Sequence, residues 1–280
     1  MTYYVLYNPK SKRGKIEKIL KQIKKKLKGH NIITGSLLDI KNVDDFLKSL
    51  NKADKIIIVG GDGTLHHLAN ALAGKKILQD ILVTRKGGTG NDFVRSIKKG
   101  KKGDFIKIND YLKDLPIEIN EGKETRFLNS VGLGIDAYVC FLVEGSDGPK
   151  TEGNYFRSAY KAFRVSKPHN IELTVDGVTT EHKKVWFSVI CNGKYFGGGM
   201  KISPKSKRLD DELEVVIVKG ISKAVLFMIF PSIYLGIHGI FRKYVKFFKG
   251  RHIIVKTDMH THIQYDGEAY YPRNRIEVKR

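Results

Sequence analysis

Lys55-Ile56-Ile57-Ile58-Val59-Gly60-Gly61-Asp62-Gly63-Thr64 is the stretch that decides the fold. Its first half is a continuous β-branched run, which suits a strand buried on both faces in a parallel sheet covered by helices. Its second half breaks that strand with three glycines and leads into a helix expected from about Leu65 to Ala73. Such a turn lies where an α/β sheet presents ligands, at the carboxyl ends of its strands. Glycines let the backbone approach phosphate oxygens, and the first N–H groups of the next helix attract an anion. Asp62 is suited to orient a metal or a donor hydroxyl. A plain strand–helix connection would need one glycine rather than three.

Upstream, Tyr3–Tyr7 reads as a strand, and Ile16, Ile19, Leu20, Ile23 and Leu27 recur at helical spacing before Gly29. Asn31–Thr34 is a short strand, followed by a helix marked by Val43, Phe46, Leu47 and Leu50. Downstream come a strand at Ile81–Thr84 and a helix from about Asp92. This βαβ rhythm predicts an open, doubly wound α/β sheet. From Pro116 the rhythm changes to strands at Pro116–Asn120, Thr125–Asn129, Ile171–Val175, Val178–His182, Val185–Cys191, Leu213–Val218 and His252–Lys256. Val175-Asp176-Gly177-Val178 is a two-residue hairpin signal. Helices over Tyr155–Val165 and Ser222–His238 interrupt the strands. The expected organisation is a nucleotide-binding domain over 1–115 and a mostly antiparallel β domain over 116–280. The active site is expected between them, with the last strand free to return to the first domain.

Two further loops repeat the phosphate-binding idea. Gly87-Gly88-Thr89-Gly90-Asn91-Asp92-Phe93 again joins a strand to a helix, with Asn91 or Asp92 placed to cap the helix and Thr89 offering a hydroxyl. Asn8-Pro9-Lys10-Ser11-Lys12-Arg13-Gly14 follows the first strand and combines a hydroxyl with basic groups. Neither is a Walker A loop, because the GxxxxGK[ST] order is absent. Three such loops, each following a strand of one sheet, converge on one edge.

Composition narrows the setting. Of 280 residues, 51 are Lys or Arg and 29 Asp or Glu, a formal charge of +22 that favours anionic partners. A nucleic-acid binder would concentrate Arg in a stripe with exposed aromatics, whereas here the cations are scattered Lys, so nucleic acid is not expected. Cys140 and Cys191 have no framework spacing, which points to a reducing, cytoplasmic compartment. Ile221–Ile240 is apolar but broken by Lys223, Pro231 and His238, a poor spanning helix. The stretch from Ile221 to Phe248, aromatic and basic by turns, is the candidate for interfacial contact with an anionic membrane, beside the alternative of packing on the β domain. Glu144–Gly153 is expected to be a mobile loop.

Asn8-Pro9 with its basic-serine tail, Gly60–Thr64 and Gly88-Thr89-Gly90-Asn91-Asp92-Phe93 together resemble the catalytic domain of the bacterial diacylglycerol-kinase and sphingosine-kinase superfamily. The likeness continues in order through Asn129–Asp136, Asn192-Gly193 with Gly197–Gly199, Pro204 with Leu209-Asp210-Asp211, and Asp266-Gly267-Glu268. The resemblance implies an N-terminal domain related to phosphofructokinases and NAD kinases and a C-terminal β-sandwich. It also implies transfer of the ATP γ-phosphate to a lipid alcohol with Mg2+, nucleotide contact extending to Leu65 and His66, and a homodimer. Glu268 is the implied general base, with Asp266 as its orienter or a metal contact. A structural magnesium is implied on the Asp211 side chain and the backbone carbonyls of Arg208 and Leu213, although Glu212 replaces the usual glycine there. Lys161 matches a lysine near the phosphate path. The rival readings are an NAD or sugar-phosphate kinase of the same wider fold, and a member that binds nucleotide or lipid without catalysis.

Overall fold

The computed structural model of the protein describes residues 1–9, 16–84, 91–98, 100, 103–145 and 152–280, the side chains of 152–156 and 271 excepted. It divides into two units, Met1–Asp114 and Leu115–Arg280.

The first unit runs β1 (Thr2–Tyr7), α1 (Ile16–Lys26), β2 (Asn31–Ser36), α2 (Val43–Ser49), β3 (Lys55–Val59), α3 (Asp62–Ala71), β4 (Asp80–Thr84), α4 (Asp92–Ile97), β5 (Phe105–Lys107) and α5 (Asn109–Lys113). The sheet order is β2-β1-β3-β4-β5. All pairs are parallel except β4–β5. The Ile56–Val59 run is almost wholly excluded from solvent, as a strand covered on both faces must be. Alternation along the strands sorts their side chains. Tyr3, Val5, Ile57 and Val59 pack with Ile23 and Leu27 of the α1 segment on one face. On the other face, Leu6, Ile56 and Ile58 look toward α2 and α3, and the Tyr4 ring meets Phe46 edge-on at 5.9 Å. Connections therefore leave β1 on one face and reach β3 on the other. The topological switch falls between the carboxyl ends of β1 and β3, where Asn8 and Gly60 sit.

The second unit contains β6 (Ile117–Asn120), β7 (Lys123–Arg126), β8 (Ser130–Gly134), α6 (Ile135–Glu144), α7 (Glu152–Val165), β9 (His169–Val175), β10 (Val178–Cys191), β11 (Leu213–Lys219), α8 (Lys223–Ile229), α9 (Ser232–Leu235), β12 (Val245–Gly250), β13 (His252–Tyr265) and β14 (Glu268–Lys279). All its strand pairs are antiparallel. The long strands β10 and β13 each pair with β9 along one half and with β8 along the other, which folds the sheet into sandwich-like layers. Leu133, Leu173, Val215, Ile253 and Ile276 lie in the core so enclosed. A second apolar cluster joins the outer side of β10 and β11 to the helices through Trp186, Val216, Leu226 and Ile233.

Several expectations change. Thr125–Asn129 is not one strand: β7 stops at Arg126 and a new strand, β8, begins at Ser130. The helix expected over Ser222–His238 is two short helices, divided at Pro231, which lacks the N–H a continuing helix needs, and ended at Gly236 with φ 72°. Within the expected Glu144–Gly153 loop, Glu144 closes α6 and Glu152-Gly153 open α7, while 146–151 lie outside the described residues. The last strand, β14, pairs with β13 and β6 inside the second unit.

Candidate functional site

Two side-chain bridges organise the loops of the first unit. Asn8 Nδ2 donates to Thr64 Oγ1 at 3.1 Å, and the Asn8 N–H donates to the Val59 carbonyl at 3.2 Å, tying the end of β1 to the start of α3. The Asp62 carboxylate accepts from the backbone N–H groups of Asp92 and Phe93 at 3.0 and 2.9 Å. Asn91 stands at the N-cap of α4 in the left-handed region (φ 52°) and makes no side-chain cap. The cap comes instead from Asp62 in the first turn of α3, so the expected orienter of a metal or hydroxyl ties the start of α3 to the start of α4; Gly87–Gly90 lie outside the described residues. Asp92, itself buried, pairs with Arg95 at 3.1 Å.

Gly60 is required by this closeness: a Cβ there would lie 2.5 Å from three side-chain atoms of Thr64. Gly60, Gly61 and Gly63 leave the N-terminus of α3 approachable for an anion. Leu65 and His66, the residues to which the nucleotide contact is expected to extend, lie in the first half of α3. Both are buried side chains, and the Leu65 N–H already donates to Gly61 at 3.1 Å. The exposed neighbour His67 instead lines a cavity of about 230 Å³ whose walls include Leu6, Leu38, Val43, Phe46 and Ile58. Asn8 and Thr64 also line it, so an apolar slot adjoins the phosphate-type loops. Its walls come from side chains far apart in sequence, which no local motif marks. Pro9 is exposed beside Asn8. Lys10, Ser11, Lys12 and Thr89 lie outside the described residues.

In the second unit, Asp266-Gly267 is a two-residue hairpin turn between β13 and β14, with φ values of 52° and 90°. The Asp266 carboxylate accepts from the N–H groups of Leu128, Asn129 and Ser130 at 2.8, 2.5 and 3.2 Å. It is thereby an anchor for the turn and for the start of β8. Gln264 braces the same turn: its Oε1 accepts from the Gly267 N–H at 2.9 Å, while Nε2 donates to Asp136 Oδ2 at 3.3 Å. Glu268 follows as the first residue of β14, partly exposed. Glu144 approaches from α6 and accepts from the Ala269 N–H at 3.0 Å. Burial, and then the charges of Glu268, Glu144 and Asp266, hold the Tyr270 phenol above its usual pKa.

Asp136, in the first turn of α6, is a further group whose role the sequence left open. Burial raises its carboxyl to about 7, and Oδ1 lies fully inside without a hydrogen-bond partner. Gly132 makes the room, since a Cβ there would sit 2.4 Å from Asp136 Oδ2.

The implied structural magnesium does not fit. Asp211 is exposed and pairs with Arg251 at 2.8 Å, and the Arg208 carbonyl accepts from Arg280 Nη2 at 2.7 Å. Leu213 is the buried first residue of β11, opposite Gly250. Two guanidinium groups thus occupy acceptors that a cation would need. The Arg208 side chain turns inward to the Leu128 carbonyl and Asn129 Oδ1. It does so over Gly193, where a Cβ would meet its guanidinium at 2.6 Å. Among the described residues no cluster of three His, Cys, Asp or Glu could hold a metal. Lys161 is exposed on α7.

A doubly wound unit with glycine-rich turns at its switch point is thus followed along the chain by an antiparallel, sandwich-like unit. Residues 2–120 match the diacylglycerol kinase catalytic domain, and residues 129–275 match the YegS C-terminal NAD kinase beta sandwich-like domain. The chain belongs to this family of diacylglycerol kinases and related lipid kinases. It is 25% identical to a diacylglycerol kinase of Bacillus subtilis (strain 168) over 277 residues, covering 94% of this chain and 88% of that protein. A diacylglycerol kinase of Mycobacterium tuberculosis (strain H37Rv) is 24% identical over 192 residues, 66% of this chain and 61% of that protein. Another Bacillus subtilis relative is matched over 59% of its length, so the chain spans about three-fifths of several relatives. Among solved structures, a diacylglycerol kinase from Bacillus anthracis str. Sterne superposes with a TM-score of 0.64 at 18% identity, covering 100% of this chain and 94% of that one, a likeness of fold.

Proposed function

We propose that this protein is an ATP-dependent lipid kinase that transfers the γ-phosphate to a lipid hydroxyl such as that of diacylglycerol. The observation that carries the reading is the Asp62 bridge, which ties the start of α3, after the Gly60-Gly61 turn, to the start of α4 beside an apolar slot. The adenine base fits the slot walled by Leu38, Val43 and Phe46, and the phosphates fit the N-terminus of α3, with magnesium entering as part of the substrate nucleotide. Phosphoryl transfer asks mainly for positioning, charge compensation and a base. In the reading, the Glu268 carboxylate takes the acceptor's hydroxyl proton. The oxygen then bonds to the γ-phosphorus as its bond to the β–γ bridging oxygen breaks, leaving ADP. Gln264 and Asp266 hold the turn that presents Glu268. The relatives named as diacylglycerol kinases support the acceptor class.

The test is an acceptor panel with γ-labelled ATP, comprising diacylglycerol, monoacylglycerol, a sphingoid base and undecaprenol in micelles, with NAD and a sugar phosphate beside them. Label is expected in a lipid. Label only in NAD or the sugar phosphate, or in no acceptor, would refute the reading.

A further inference from the structure

From Val215 to Thr257 the sequence contains no Asp or Glu but eight Lys or Arg. Within that stretch α8, α9 and the turn after them bury one set of apolar side chains, Leu226, Ile229 and Ile233, against the β10–β11 face. They leave a second set outside: Phe227 is 50% exposed, Met228 70%, Tyr234 52%, Leu235 69%, Ile237 47% and Ile240 67%. Six large apolar side chains bared along fourteen residues exceed the scattered exposure ordinary on a soluble surface. Ring contacts continue the ridge in both directions. Phe227 meets Phe163 of α7 edge-on at 6.0 Å, and Phe247 leans on His238 at 5.6 Å.

Positive charge flanks the ridge. Lys223 and the exposed Arg242, Lys243 and Lys249 come from the acid-free stretch. On α7, exposed Arg157, Lys161 and Arg164 recur at helical spacing, and Lys223 Nζ donates to the Arg164 carbonyl at 2.8 Å. An apolar ridge carried by an acid-free stretch and flanked by cations matches an anionic bilayer surface, where apolar side chains enter the headgroup boundary and Lys and Arg meet lipid phosphates. A second copy of the chain is disfavoured, because a two-fold interface would set these cations against one another. No helix among the described residues is long and apolar enough to cross a membrane, so contact of this kind is from the surface.

We propose that α8, α9 and the Gly236–Ile240 turn form a docking surface for anionic lipid bilayers. Its purpose rests on the lipid-kinase reading, since the acceptor then lies in the bilayer; its existence does not. The test is co-sedimentation of the full chain with vesicles of phosphatidylglycerol and phosphatidylcholine, or of phosphatidylcholine alone, for wild type and the exposed-site variant Met228→Asp/Leu235→Asp/Ile240→Asp. Wild type is expected to bind the anionic vesicles, more weakly in high salt, and the variant to bind at least about tenfold less. Transfer to a short-chain, water-soluble acceptor should be the same in both. Equal vesicle binding by wild type and variant, or no wild-type binding, would overturn the proposal. So would a wild-type dimer that the variant dissolves without losing vesicles. If vesicles bind as expected but no acceptor is phosphorylated, the lipid-kinase reading fails and the surface stands.

Discussion

The Asp62 carboxylate receives the backbone N–H of Phe93 at 2.9 Å, so a side chain in the first turn of one helix caps the next. Thirty-one residues separate the two, yet the bond fixes the spacing between the N-termini of α3 and α4. Replacing Asp62 with Ala leaves the N–H groups of Asp92 and Phe93 without their acceptor. KM for ATP is expected to rise at least about tenfold and the melting temperature to fall by several degrees, because an unsatisfied N–H costs about 1–3 kcal/mol. Asp62→Asn, which keeps one acceptor oxygen, should fall between. Unchanged ATP kinetics in both variants would remove the bridge from the account.

Gly60→Ala tests the same loop from the backbone side. A methyl 2.5 Å from the Thr64 side chain must displace it, and with it the Asn8–Thr64 hydrogen bond. Overpacking of this kind costs about 1–3 kcal/mol, read by urea denaturation, and nucleotide binding should weaken in parallel.

Asp136 gives a pH prediction with a definite sign. Its carboxyl is raised to about 7 in the folded protein against an ordinary value of 3.8, so the folded state holds the proton longer. Its contribution to stability is complete below about pH 4 and is lost as pH rises to about 7. The decline is of the order of 4 kcal/mol, at about 1.4 kcal/mol per pH unit. Asp136→Asn, which carries no charge, should flatten the stability profile across that window and exceed wild type in stability at pH 8. A parallel decline in both proteins would show that another group is responsible.

Arginine in place of a structural metal also has a measurable consequence. Without nucleotide, the melting temperature should not change between excess EDTA and excess Mg2+. Arg280→Ala should lower it, since Arg280 spans the Arg208 carbonyl and Asn192 Oδ1 at 2.7 and 3.0 Å. A rise with Mg2+ that Asp211→Ala abolishes would restore the metal.

Much of the fold was readable because short-range pattern and final environment agree. Ile56–Val59 is an unbroken β-branched run and is buried on both faces, and Asp176-Gly177 makes the hairpin that its residue types require. The failures arose where the cause is distant. Strand β8 carries glycine at positions 132 and 134, which weakens its strand pattern, and Gly132 serves to admit the Asp136 carboxylate. Strand β14 was hidden by Arg273, Arg275 and Glu277, charges that suit a surface unless Glu118 is known to wait opposite Arg273 at 3.0 Å. Asp62, Asp266 and Glu268 stood out as acidic residues beside glycine. That the first two anchor backbone N–H groups depends on partners about 30 and 137 residues away. Gln264 and Glu144 carry no motif at all.

The most direct test of the account concerns Glu268. Initial rates of γ-labelled phosphate transfer to diacylglycerol micelles should be compared for wild type, Glu268→Ala and Glu268→Gln, with ATP affinity measured separately by equilibrium binding. Loss of the base should lower kcat by about 100-fold or more in both variants, while ATP affinity and melting temperature stay near wild type. Transfer at the wild-type rate by Glu268→Ala would contradict the central claim.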